Sequence, residues 1–261
     1  MALAFSVQAQ PVQVIGSDSM VQAALAWAEA FSGSVEVSGG GSGIGVAALL
    51  DGSADIATLA RPLQKDEAER LTKLFGAAPV VTPVAFDALA VFVHKDNPVS
   101  KISLIELRDV FFANGKLDDW KQLGGADSRR IIPASRHSNS AANNFFHEAV
   151  GGKRAEFKAF QMYSGSNEIV DAIASIPASI GYASLAFRRD GVKPLALSGN
   201  IGGEPVLPTA QTIRDGTYPL SRPLYFVSSL TARAETKAFI GFVTGKVGQS
   251  LVEKQGFTPL K

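Results

Sequence analysis

Residues 11–59 read PVQVIGSDSMVQAALAWAEAFSGSVEVSGGGSGIGVAALLDGSADIATL, and this stretch decides the fold class. The spacing of its apolar residues changes along the chain. Val12 and Val14 alternate within 11–15, the pattern of a strand with one covered face, and Val35 and Val37 do the same within 34–38. Between them, Val21, Ala24, Leu25 and Ala28 recur every three to four residues and predict a helix over 20–31. A second helix is predicted through 46–50, a third short strand over 55–59, and a charged surface helix over 65–75. Small polar turns mark the changes: Gly16-Ser17-Asp18-Ser19 before the first helix and Gly39-Gly40-Gly41-Ser42-Gly43 before the second. Strands alternating with helices in this way predict an α/β sheet with crossover helices.

Working outward, residues 84–94 form a long apolar run and residues 219–228 a second extended one. Two such segments so far apart are read as paired crossover strands joining two lobes. Between them the spacing predicts helices over 105–112, 141–150 and 168–176 and a buried strand over 179–183. A last helix over 232–244 returns to the first lobe. The expected division is a domain I of 11–88 plus 224–261 and a domain II of 89–223, with the ligand in the cleft between them.

Composition narrows the function. Among 261 residues, 25 Lys+Arg face 24 Asp+Glu, so the chain lacks the basic excess of an electrostatic nucleic-acid binder. With 46% hydrophobic and 19% charged residues it has ample core and is not a disordered polyampholyte. Cysteine is absent, which excludes disulfides, thiolate metal sites and a Cys nucleophile. Residues 1–10 are read as a signal-peptide remnant, Val7 and Ala9 standing three and one residues before a cut at Gln10. No segment reaches the ~18 unbroken apolar residues of a membrane span. The expectation is an exported, soluble, periplasmic protein.

Three Gly/Ser/Asn loops precede predicted helices: 16–19, 39–43 and Arg136-His137-Ser138-Asn139-Ser140. Helix starts present unpaired N–H groups and a partial positive charge, so converging loops of this kind make an anion cradle without net positive charge. Arg136 is the natural clamp, because its planar fork matches two oxygens of a tetrahedral anion. The plainer alternative is that Ser17, Ser42 and Ser140 only cap their helices. Hydrolase signals fail: Ile44 breaks G-x-S-x-G around Ser42, and Gly245-Lys246 lacks the rest of a P-loop. His94, His137 and His147 are dispersed. No catalytic residue, metal ligand or cofactor is expected.

Several stretches together carry a resemblance. They are Ile15-Gly16-Ser17, Trp27-Ala28-Glu29-Ala30-Phe31, residues 39–45, Gly52-Ser53-Ala54-Asp55-Ile56-Ala57, Arg61-Pro62, and Phe86-Asp87-Ala88-Leu89-Ala90-Val91. Further on come Asn97-Pro98-Val99, Phe111-Phe112 with Trp120, Ile180-Gly181-Tyr182, and Tyr218-Pro219-Leu220-Ser221-Arg222-Pro223-Leu224-Tyr225. In order and spacing the chain resembles the phosphate-binding proteins of bacterial ABC importers, in the type II periplasmic binding-protein superfamily. The resemblance implies a two-lobe type II fold with two crossover hinge strands. It also implies a monomer that captures inorganic phosphate and passes it to an ABC permease in the inner membrane. Sulfate, molybdate or tungstate uptake, or a sensory or surface role without a transporter, are the alternatives.

By the same resemblance the ligand-binding residues are Ser17, Asp18, Ser19 and Ser42 from domain I and Arg136, Ser140, Ala141 and Ala142 from domain II. Three positions depart from the family pattern: Asp18 replaces a hydroxyl, and Ala60 and Ala142 lack polar groups. The resemblance implies a proton-accepting carboxylate where Ala60 stands, so Asp18 is expected either to take over that role or to cap the helix through the amides of residues 20 and 21.

Overall fold

A computed structural model of the chain describes residues 10–138, 140–152, 155–158 and 161–261. The signal-peptide reading falls almost wholly on residues outside these. The described residues form two compact units. One comprises the chain up to Ala85 with Pro223–Gln255 and Pro259–Lys261; the other comprises Phe86–Arg222 with Gly256–Thr258.

The first unit begins with β1 (Val12–Gly16), α1 (Val21–Ala30), β2 (Val35–Ser38), α2 (Ser42–Asp51), β3 (Ile56–Leu59) and α3 (Lys65–Phe75). A short 3₁₀ turn, Asp18–Met20, takes up the start of the predicted first helix. β1 runs parallel to β2, Val14 opposite Val37, and parallel to β3, Val14 opposite Ile56. Val12 and Val14 are fully covered, as their alternation requires. Val46, Leu49, Ala57, Leu59 and Leu71 pack together between the sheet and the helices α2 and α3. Gly45 permits that packing: a Cβ there would stand 2.5 Å from the Ile15 carbonyl oxygen, so α2 rests directly on the β1 backbone.

The chain passes into the second unit within β4 (Val80–His94). There follow β5 (Lys101–Ser103), α4 (Leu104–Phe111), β6 (Ile132–Arg136), α5 (Ala141–Phe146), β7 (Gln161–Tyr163), α6 (Ser166–Ser175) and β8 (Ser179–Ser184). α5 runs on into a π-helical turn, His147–Gly151. β9 (Val192–Pro194), β10 (Ala196–Ser198) and α7 (Ala210–Arg214) complete the unit. Its sheet has the order β4-β8-β6-β7, with β4 antiparallel to β8 and β6 parallel to both neighbours. Arg136, the last residue of β6, lies opposite Tyr163 of β7. The core gathers Leu107, Phe111, Phe146, Ile180 and Tyr182, with the Tyr182 and Phe146 rings stacked 3.9 Å apart.

The return passes through β11 (Ser221–Ser228), whose Tyr225–Val227 pair antiparallel with β3 in the first unit. α8 (Ala234–Thr244) and α9 (Lys246–Lys254) close the chain. Trp27 is buried beneath α9, its indole N–H donating to the Gly248 carbonyl at 2.8 Å and its ring meeting Phe226 edge-on. Among the described residues no helix is long and apolar enough to cross a membrane.

Candidate functional site

In the first unit the parallel strands β1, β2 and β3 end on one side of the sheet, and the loops that follow β1 and β2 meet there. The Gly41 amide donates to the Gly16 carbonyl at 2.8 Å, and the Ser17 amide to the Thr58 carbonyl at 2.9 Å. Gly16 makes this closeness workable: its φ is +152° and a Cβ would stand 2.3 Å from the Thr58 oxygen. The ends of strands in an open α/β sheet are where such folds hold ligands.

Four expected site residues sit on these loops. The Ser17 and Ser19 hydroxyls are 2.8 Å apart, so one donates to the other and one proton stays available. Ser17 is 5% exposed and makes no side-chain cap of the turn it precedes. Ser42 is the first residue of α2, not its cap, which is Gly41. Its Oγ accepts from the Ala60 amide at 3.2 Å, leaving its own proton free to donate. Capping therefore does not describe Ser17 or Ser42. Asp18 is exposed, and its Oδ1 accepts from the Gly40 amide at 2.8 Å. That bond corrects the reading of Asp18 as a cap for residues 20 and 21: the carboxylate straps the first loop to the glycine loop. Arg61, next to Ala60, is held in a bidentate pair with Glu67 at 2.7 and 2.8 Å.

The second unit brings together the other four. Arg136 ends β6, and one arm of its fork, Nη1, donates to the Ser166 hydroxyl at 3.1 Å. Its Nε is buried and has no partner among the described residues. Among the described residues no carboxylate pairs with this guanidinium. Ser140 does cap α5, its Oγ accepting from the Asn143 amide at 3.1 Å, again with the hydroxyl proton free. Ala141 opens α5, and Ala142 is half-buried with its methyl against the core.

Beneath Arg136 lies a polar cluster that the sequence does not announce. Asn143, 3% exposed, donates through Nδ2 to the Arg136 carbonyl at 2.9 Å, and it reaches the Tyr182 hydroxyl at 3.2 Å and Ser135 Oγ at 3.3 Å. Ser135 and Tyr182 hydroxyls are 2.6 Å apart. Burial pushes the Tyr182 phenol above its ordinary value, so it stays neutral and serves only as donor and acceptor. The only local hint is the tyrosine of Ile180-Gly181-Tyr182, whose hydroxyl needs a partner once buried. The histidines serve elsewhere. His137 is exposed, His147 Nε2 bonds the Ala155 carbonyl at 2.6 Å, and His94 Nδ1 accepts from the Asp96 amide at 3.2 Å.

Each unit thus presents hydroxyl protons and helix-start amides, and the second adds a cation with an orphaned donor. Residues 6–247 match the family model described as a PBP superfamily domain. The chain is 29% identical to the phosphate-binding protein PstS of Pseudomonas aeruginosa, covering 94% of this chain and 82% of that one. It is 30% identical to protein SphX of Synechococcus elongatus, covering 98% and 79%. It superposes on an ABC-type phosphate transport receptor from Vibrio cholerae with a TM-score of 0.75 at 25% identity, covering 94% of this chain and 98% of that one.

Proposed function

This chain belongs to the PBP superfamily, with its type II fold, and from that premise we propose that it captures inorganic phosphate and hands it to an ABC permease in the inner membrane. The observation that carries the reading is Arg136, whose buried Nε has no partner among the described residues. A buried N–H without an acceptor costs about 1–3 kcal/mol, and an oxyanion seated on the guanidinium removes that cost. In the second unit Arg136, Ser140 and the amides that follow it donate to the anion; in the first, Ser17, Ser19 and Ser42 present donors of the same kind. All can donate, which suits the unprotonated oxygens of a tetrahedral oxyanion. The names of the relatives favour phosphate among such anions.

On this reading the protein works outside the inner membrane as a monomer, without metal, cofactor or catalysis. Titration calorimetry of the ligand-free protein against phosphate, sulfate, molybdate and tungstate tests the proposal. One saturable phosphate site, with the other anions weaker, is the expected result. Tighter binding of another anion replaces phosphate as the ligand, and binding of none of the four refutes oxyanion capture.

A further inference from the structure

The structure gives Arg136 a neutral partner where a cation in a protein is commonly paired with a carboxylate. Ser166, 9% exposed, is the first residue of α6, and its Oγ accepts from Arg136 Nη1 at 3.1 Å. Its place is fixed from below: Ile169, Val170 and Ile173 of α6 pack against Ala134 and Ala183 of the sheet. A hydroxyl that accepts from a guanidinium aims the fork without neutralising it, and it retains a proton to donate. A carboxylate at the same distance would form a charge-assisted pair about twice as strong and compete directly with an incoming anion.

We propose that Ser166 is a positioning residue that sets the orientation of Arg136 while leaving its full charge for the ligand. The inference rests on the reading of Arg136 as the anion clamp. Its consequence is that the bound anion supplies the whole counter-charge. Affinity then depends steeply on ionic strength and on the charge the anion carries.

The test is calorimetry with inorganic phosphate, at low and high salt, on wild type, Ser166→Ala, Ser166→Thr, Ser166→Asp, Arg136→Ala and the Ser166→Ala/Arg136→Ala double variant. Ser166→Ala is expected to weaken binding about tenfold, and Ser166→Thr, which keeps the hydroxyl, to stay within about threefold of wild type. Ser166→Asp places an acidic residue in the first turn of a helix, which favours the fold. It is nonetheless expected to lower affinity by about a hundredfold and to flatten the salt dependence. In the Arg136→Ala background, Ser166→Ala is expected to add nothing. Melting curves confirm that each variant is folded. Phosphate affinity unchanged in Arg136→Ala defeats the anion-site reading itself. Affinity lost in Arg136→Ala but kept within twofold in Ser166→Ala and Ser166→Asp overturns the role of Ser166 and leaves that reading standing. Equal losses from Ser166→Ala in both backgrounds also overturn it.

Discussion

Replacing Asn143 with alanine removes the side chain that ties the end of β6 to the start of α5. The magnitude follows from which partners are left behind. The Ser135 and Tyr182 hydroxyls retain each other at 2.6 Å, so neither is orphaned. The Arg136 carbonyl loses its 2.9 Å bond to Asn143 and keeps the longer one from the Ser135 hydroxyl at 3.4 Å, so the cost is that of one hydrogen bond, about 0.5–1.5 kcal/mol. The emptied amide volume adds about 1 kcal/mol. The expected loss is about 1.5–2.5 kcal/mol, confined to the second unit. The two tryptophans allow that confinement to be read, since Trp27 lies in the first unit and Trp120 in the second. In a Trp27→Phe background, urea unfolding followed by fluorescence reports Trp120 alone, and its midpoint should fall with an unchanged slope. Phosphate affinity should fall severalfold as well, because the backbone that presents Arg136 is no longer held. A stability change below about 0.5 kcal/mol, the size of an ordinary surface substitution, would refute the reasoning.

Three more outcomes follow from the same geometry. Arg136→Ala removes two charge-assisted hydrogen bonds of about 1.5–3 kcal/mol each and should weaken phosphate binding a hundredfold or more in calorimetry. Lysine, a point charge without the fork, should restore only part of it. Asp18→Asn keeps an oxygen for the Gly40 amide, so the phosphate-to-sulfate affinity ratio should stay within about threefold. Newly acquired sulfate binding would instead make Asp18 the proton acceptor that Ala60 cannot be. The Arg61 guanidinium holds the Glu67 carboxyl below its ordinary value of 4.5, so this pair stabilises the fold above that pH and stops doing so as pH falls through the lowered value. Glu67→Gln should therefore flatten the acid limb of a stability-against-pH curve below about pH 4.5, and an unchanged limb would remove the pair from the account.

Much of this was legible because it is written in local spacing. Val12, Val14, Val35 and Val37 announce strands by their alternation, and Gly16 marks a loop whose backbone must approach another. Two of the resemblance motifs meet: Asp87 pairs with Arg222 at 2.9 and 3.1 Å, and Arg222 lies over the Phe145 ring. Each stretch makes sense only beside the other. What escaped detection depends on partners distant in sequence. β6 carries a fully buried Ser135, a poor strand signal until the Tyr182 hydroxyl satisfies it from 47 residues away. Asn143 looked like an ordinary polar helix residue, since nothing near it reveals that its amide faces a carbonyl and two hydroxyls. α9 was missed because Gly245 ends α8 and begins α9 at once, so a stop signal concealed a start. Ser166 stands 30 residues from the arginine it orients.

The proposed function places an oxyanion on the Arg136 guanidinium. A crystal structure of the protein grown with phosphate tests it most directly. The expected result is one tetrahedral density whose oxygens lie within hydrogen-bonding distance of the Arg136 guanidinium. Phosphate bound elsewhere, or not bound at all, would contradict it.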